Sequence, residues 1–164
     1  MRLKVLTVSG KPPGWINSGW DQYAKRMPKH LLLELVTISP VHRYSESDIP
    51  VAQQKETEKL LQHTQHCHRI ALDGGGQRWT TQQLADRLKH WQQLGQDCAF
   101  LIGGADGHNQ ALLQQSQERW SLGALTYPHH LVRVLLAEQL YRACLLYTSP
   151  SPRDQRGSRM PSSA

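Results

Sequence analysis

FLIGGADGHNQALLQQSQERWSLGALTYPHHLVRVLLAEQLYRAC, residues Phe100 to Cys144, decides the fold class. It begins in an apolar run and passes two glycine-containing turns, Gly103-Gly104 and Gly107. The spacing predicts a short helix over Asn109–Gln117 and a strand within Arg119–Leu125. Pro128 suits a helix start, since its fixed φ is helical and its missing N–H would be unpaired there anyway. Leu131, Val134, Leu135, Ala137, Leu140, Tyr141 and Cys144 make that last helix apolar, with Glu138 and Arg142 as an i,i+4 pair. No Ser/His/Asp set accompanies the turns, and no Lys follows the glycines. These turns present backbone, which suits an uncharged hydrogen-bonding ligand such as an adenine better than nucleophilic catalysis.

Upstream, the same alternation recurs. Leu3–Val8 reads as a first strand, bounded by Ser9-Gly10 and Pro12-Pro13-Gly14. Ser18–Met27 fits a short helix with Trp20, Tyr23, Ala24 and Met27 on one face. Leu31–Ile38 is a second strand. Ser39–Pro50 is a polar loop carrying His42, Arg43 and Tyr44, which suit either phosphate pairing and base stacking or plain solvation. Val51–Gln65 is helical and strongly polar. His68–Leu72 is a third strand, and Asp73-Gly74-Gly75-Gly76 a flexible turn. Thr80 and Gln83 form a capping box for a helix that buries Leu84, Leu88, Trp91 and Leu94 and stops at Gly95. Cys98–Ile102 is the fourth strand. Strands alternating with helices predict an α/β fold with a mainly parallel sheet flanked by helices.

A chain of 164 residues with 38% hydrophobic content forms one globular domain. The net charge of +6 permits an anionic partner, although Arg153, Arg156 and Arg159 of the tail supply part of it. No apolar run is long enough to cross a bilayer, and a cytoplasmic location with no membrane or DNA partner is expected. Cys67, Cys98 and Cys144 read as free buried thiols. His63, His66, Cys67 and His68 crowd six residues, but sequence neighbours cannot all face one ion, so no metal is expected. GxGxxG, a Lys-containing phosphate loop, HExxH and GxSxG are all absent.

IGGADG followed by WSLGALTYPHHLVRVLLAEQLYRA resembles the SPOUT-class RNA methyltransferases. Within them, the likeness is to the family that methylates N3 of a pseudouridine in bacterial large-subunit rRNA. MRLKVLTVSGKPPGWINSGWDQYAKRMPK and IALDGGGQRWTTQQLADRL are similar to that family too. The resemblance spans about residues 1–144. It implies a C-terminal trefoil knot, which periodicity could not show, and a domain over 1–146. It also implies S-adenosylmethionine as cofactor, a homodimer, and rRNA in the assembled ribosome as partner. The cofactor site it implies comprises Leu72, Gly103, Gly104, Leu122, Gly123, Ala124, Leu125, Thr126 and Tyr127. His129 and Arg133 match family positions beside the acceptor. Read singly, the glycines are turn formers, Arg133 a surface charge and His129 a helix cap.

The ending LLYTSPSPRDQRGSRMPSSA differs in kind. Its Ser, Pro and Arg content predicts disorder over 147–164. The family closes instead on a Pro-Tyr-His-Arg-like sequence that reaches the active site. Two further readings therefore stand beside the rRNA methyltransferase: an RNA- or ribosome-binding protein with impaired turnover, and a SPOUT methyltransferase with another RNA target.

Overall fold

The computed structural model describes residues 1–148. Five strands form one parallel sheet: β1 (Arg2–Val8), β2 (Leu32–Ile38), β3 (His68–Arg78), β4 (Cys98–Ile102) and β5 (Glu118–Ser121). Their spatial order is β2-β1-β4-β3-β5. The helices are α1 (Gly14–Ala24), α2 (Ile49–Gln62), α3 (Thr81–Gln93), α4 (Gln110–Gln114) and α5 (His129–Thr148).

Strand alternation splits the core in two. Leu3, Val5, Ile70, Phe100 and Ile102 face a cluster completed by Trp20 of α1, Leu88 and Trp91 of α3, and Leu136 and Leu140 of α5. Leu6, Val8, Ala99 and Leu101 point the other way, against Leu60 of α2 and Leu112 of α4. Central β4 is buried throughout, as a strand covered on both faces requires. The thiols are packing groups: burial pushes Cys98 up to about 12 and raises Cys67 as well.

Several expectations need correction. Asp73–Gly76 is not a flexible turn: β3 continues through it, and a register shift between Leu72 and Gln77 absorbs the extra residues as a bulge against β5. Helix α1 starts at Gly14 and ends at Ala24, because Pro13 can precede a first turn as well as close a loop. The predicted loop 39–50 contains a 3₁₀ turn at Glu46–Asp48 and the first two residues of α2, with Pro50 where a missing N–H costs nothing. Helix α4 spans five residues rather than reaching Gln117. The predicted capping box at Thr80 and Gln83 is present, as are the positive φ of Gly95 and the Glu138–Arg142 pair at 2.6 Å. Helix α5 runs to Thr148, with the Tyr147 hydroxyl donating to Gln92. The predicted disorder of the tail from 149 onward lies outside the described residues.

The bulge depends on Gly76. A Cβ there would lie 2.6 Å from the carbonyl carbon of Arg119, which is backbone and cannot yield cheaply. Gly74, two residues earlier, has open space. Gly76→Ala should therefore lower the unfolding free energy by roughly 2 kcal/mol, an overpacking cost. Gly74→Ala should stay within about 0.5 kcal/mol of the parent. Urea denaturation of both variants checks the contrast.

Candidate active site

The carboxyl ends of β1, β3, β4 and β5 all open on the same edge of the sheet, the edge where parallel α/β sheets place ligands. Leu72 pairs in register with Trp120, just ahead of the segment 122–127. Gly103 and Gly104 leave the end of β4. A Cβ on Gly103 would come within 2.8 Å of the Gly107 carbonyl carbon, so the chain doubles back on bare backbone. A Cβ on Gly104 would lie 3.3 Å from Val8 Cγ1, which places this turn beside the end of β1.

The start of α5 closes on the same strand end. His129 Nε2 donates to the Val8 carbonyl at 2.9 Å. That oxygen can only accept, so Nε2 carries the proton and Nδ1 is the basic nitrogen. Burial, and behind it the neighbouring Arg133 charge, pushes His129 below its ordinary 6.5 against the opposing pull of that hydrogen bond.

Arg133 is 1% exposed, and no carboxylate pairs with it among the described residues. Its Nη2 donates to Ser9 Oγ at 2.8 Å and to His130 Nδ1 at 3.0 Å. Its Nε and Nη1 have no partner, and neither has the buried Thr7 hydroxyl. Burial lowers the Arg133 pKa from its usual 12.5. An enclosed guanidinium with two idle donors is costly for a fold and useful for an anionic or carbonyl ligand.

Beside this edge lies a cleft of about 260 Å³. Leu122, Gly123 and Tyr127 line it together with Trp79, Trp120, Leu135 and Gln139. Gly123 has φ +117, a conformation that favours glycine. The Trp79 and Trp120 rings stack with centroids 5.2 Å apart. Leu72, Gly103 and Gly104 lie outside this lining, while Ala124, Leu125 and Thr126 form the exposed part of the loop. Sequence reading missed Trp79 and Trp120. Their only signal was aromatic residues flanking a glycine bulge, and that bulge had been read as a turn. Thr7 and Ser9 carried no local signal, since Ser9 meets Arg133 across 124 positions.

Glu118 anchors the start of β5. It accepts from His68 Nε2 at 2.5 Å, from Trp91 Nε1 at 2.6 Å and from Arg87. His68 is thereby drawn away from its sequence neighbours: His63 bonds the Lys59 carbonyl and Cys67 is buried. Among the described residues, no three His, Cys, Asp or Glu side chains are grouped to hold a metal ion. Nor is any helix there long and apolar enough to cross a membrane.

A family model described as predicted SPOUT methyltransferase matches residues 1–150. The chain belongs to that family. Among its relatives, a protein of Chromohalobacter salexigens named Ribosomal RNA large subunit methyltransferase H is 46% identical over 147 residues, covering 89% of this chain and 95% of that one. Proteins of the same name from Hahella chejuensis and Burkholderia mallei are 44% and 47% identical, each covering 87% of this chain and 92% of theirs. A probable methylase family protein of Haemophilus influenzae shares the fold at a TM-score of 0.60 with 13% identity, over 90% of this chain and 68% of that one. A putative methylase family protein of Neisseria gonorrhoeae does so at 0.54 with 12% identity, over 99% and 94%. The parallel five-stranded sheet and these neighbours agree with the knotted form of the SPOUT fold.

His108 is a second buried imidazole, donating through Nε2 to the Leu101 carbonyl at 2.8 Å, and burial lowers its pKa below 6.5. Both His108 and His129 therefore take up a proton more readily in the unfolded chain. Their contribution to stability is complete above 6.5 and is lost as pH falls below it towards their folded values. The melting temperature should rise between about pH 5.5 and about pH 6.5 and level off above it. His108→Gln, which keeps a side-chain N–H donor and cannot titrate, should flatten part of that slope. An unchanged slope would mean the two rings are not the source.

Proposed function

We propose that this chain methylates N3 of a pseudouridine in large-subunit rRNA, using S-adenosylmethionine and acting as a homodimer on the assembled ribosome. The observation that carries the reading is the near-full-length likeness to proteins named for large-subunit rRNA methylation. The residues at the sheet edge fit such a cofactor. Gly103 leaves main chain bare for close approach, and the stacked tryptophans with Leu122 offer planar apolar walls. The cleft is near the lower end of ligand-site volumes, ~300 Å³. A cytoplasmic location accords with a ribosomal substrate.

When bound, S-adenosylmethionine supplies an electrophilic methyl group with its own leaving group. The chain's task is then orientation and removal of one proton. Leu72, Gly103, Gly104 and the loop from Leu122 through Gly123, Ala124, Leu125 and Thr126 to Tyr127 hold the cofactor. His129, kept neutral by burial, offers Nδ1 to the imide proton of the acceptor base. Arg133 directs its idle Nη1 and Nε at a phosphate or carbonyl oxygen of the RNA. A second reading is binding to RNA or the ribosome without turnover.

A methyl-transfer assay on ribosomes lacking the modification, with the product position mapped, separates these readings and the alternative RNA targets. Gly104→Val should abolish calorimetric binding of S-adenosylmethionine, its side chain filling the turn against Val8 and Glu56. Arg133→Met should do the opposite. It removes a buried unpaired charge, so the fold should be as stable or about 1 kcal/mol more stable, while methyl transfer falls on the order of 100-fold. Loss of folding in Arg133→Met would assign the residue a structural role instead.

The dimer is supported by α5, which is apolar over more of its circumference than one buried face needs. Leu131, Val134 and Leu135 stay half-buried beside the fully covered Leu136 and Leu140. Light scattering at micromolar concentration should give twice the 18.7 kDa chain mass. A persistent monomer would remove the partner from the RNA site.

A further inference from the structure

The turn after β4 has no apolar anchor of its own. Ala105, Asp106 and Gly107 are exposed, and between its two ends, where His108 Nε2 donates back to the Leu101 carbonyl at 2.8 Å, the Gly107 N–H to Gly104 carbonyl bond at 3.0 Å closes it. Such a segment samples many arrangements unless something outside fastens it. The fastening comes from α2 and the loop before it. Arg43 Nε donates to Asp106 Oδ2 at 2.8 Å, and Gln53 Nε2 to the Asp106 carbonyl at 2.8 Å.

Arg43 is itself fixed. Its Nη1 and Nη2 donate to the two oxygens of Glu56 at 2.7 and 3.0 Å, and Nη1 also reaches the Val41 carbonyl. Glu56 is only 3% exposed and accepts from the Val41 N–H at 2.9 Å. A Cβ on Gly104 would sit 3.6 Å from Glu56 Oε1, so this carboxylate lies beside the turn. A bidentate, largely buried pair of this kind holds geometry where an exposed ion pair would not. The planar fork with a third donor spans both carboxylates at once, which a lysine ammonium cannot reproduce.

We propose that Arg43 is a positioning residue for methyl transfer: clamped on Glu56, it holds Asp106 and so sets the backbone of Gly103 and Gly104 that faces the cofactor. This rests on the reading of that turn as part of the cofactor site. Arg43 acts through the turn, since all three of its guanidinium nitrogens are engaged by protein oxygens.

The test measures binding of S-adenosylhomocysteine by calorimetry in the full chain. Arg43→Lys keeps a cation for buried Glu56 and loses the reach to Asp106. Asp106→Ala frees the turn from the other side and leaves Glu56 paired. Each should bind roughly ten-fold more weakly, as misplacement of a ligand-facing backbone implies. The double variant should be no weaker than the weaker single, since both act through one bond. In turnover, KM for S-adenosylmethionine should rise with kcat at saturation retained. Thr64→Ala serves as the structural control. It removes a buried hydroxyl that donates to the Leu60 carbonyl and accepts from Arg69, at the far end of α2. It should lower the melting temperature and leave affinity unchanged, whereas Asp106→Ala should lower affinity at an unchanged melting temperature. Wild-type affinity in both Arg43→Lys and Asp106→Ala, or additive losses in the double variant, overturns the clamp and leaves the cofactor site standing. A wild-type chain that binds no S-adenosylhomocysteine removes the cofactor reading and the clamp together.

Discussion

Everything at the sheet edge depends on the docking of the first turn of α5 against the carboxyl end of β1. Two bonds make it: His129 Nε2–H to the Val8 carbonyl and Arg133 Nη2–H to the Ser9 hydroxyl. They tie positions more than a hundred residues apart, so the entropy of closing that loop must be offset by packing elsewhere. The apolar contacts of α5 with α1 and α3 provide it. In return, the docking brings the glycine turn after β4, the segment after β5 and the buried guanidinium to one edge.

The molecule treats enclosed charge in two contrasting ways. Glu56 is a buried and Glu118 a partly buried carboxylate, both with their hydrogen bonds supplied, Glu56 by Arg43 and Val41, Glu118 by Arg87, His68 and Trp91. Satisfied in this way they fix geometry, one beside the β4 turn and one at the start of β5. Arg133 is buried with donors unused. Satisfied polar groups serve the scaffold, and an unsatisfied one is where a ligand would complete the structure.

Much of this was legible along the chain. The capping box at Thr80, the stop at Gly95, the apolar β4 and the alternation of strands and helices all rest on interactions within a few residues. Segments whose state depends on distant partners were misread. Asp73–Gly76 has the composition of a turn, yet pairing with β5 draws it into a strand with a bulge. Helix α2 shows little apolar face because one of its buried positions is Glu56, which Arg43 makes tolerable. Polarity there concealed burial.

The sequence by itself determined the α/β class, the family, and the small-residue segments at Gly103-Gly104 and Leu122–Tyr127, because propensity, turn chemistry and motif are local. Only the tertiary structure decided which side chains surround them. Arg133 reads as an ordinary helix charge until Ser9 and His130 are seen to enclose it, and Arg43 reads as a loop cation until Glu56 and Asp106 converge on it. Burial and pairing belong to groups that meet only when the chain has folded, so no window along the sequence contains them.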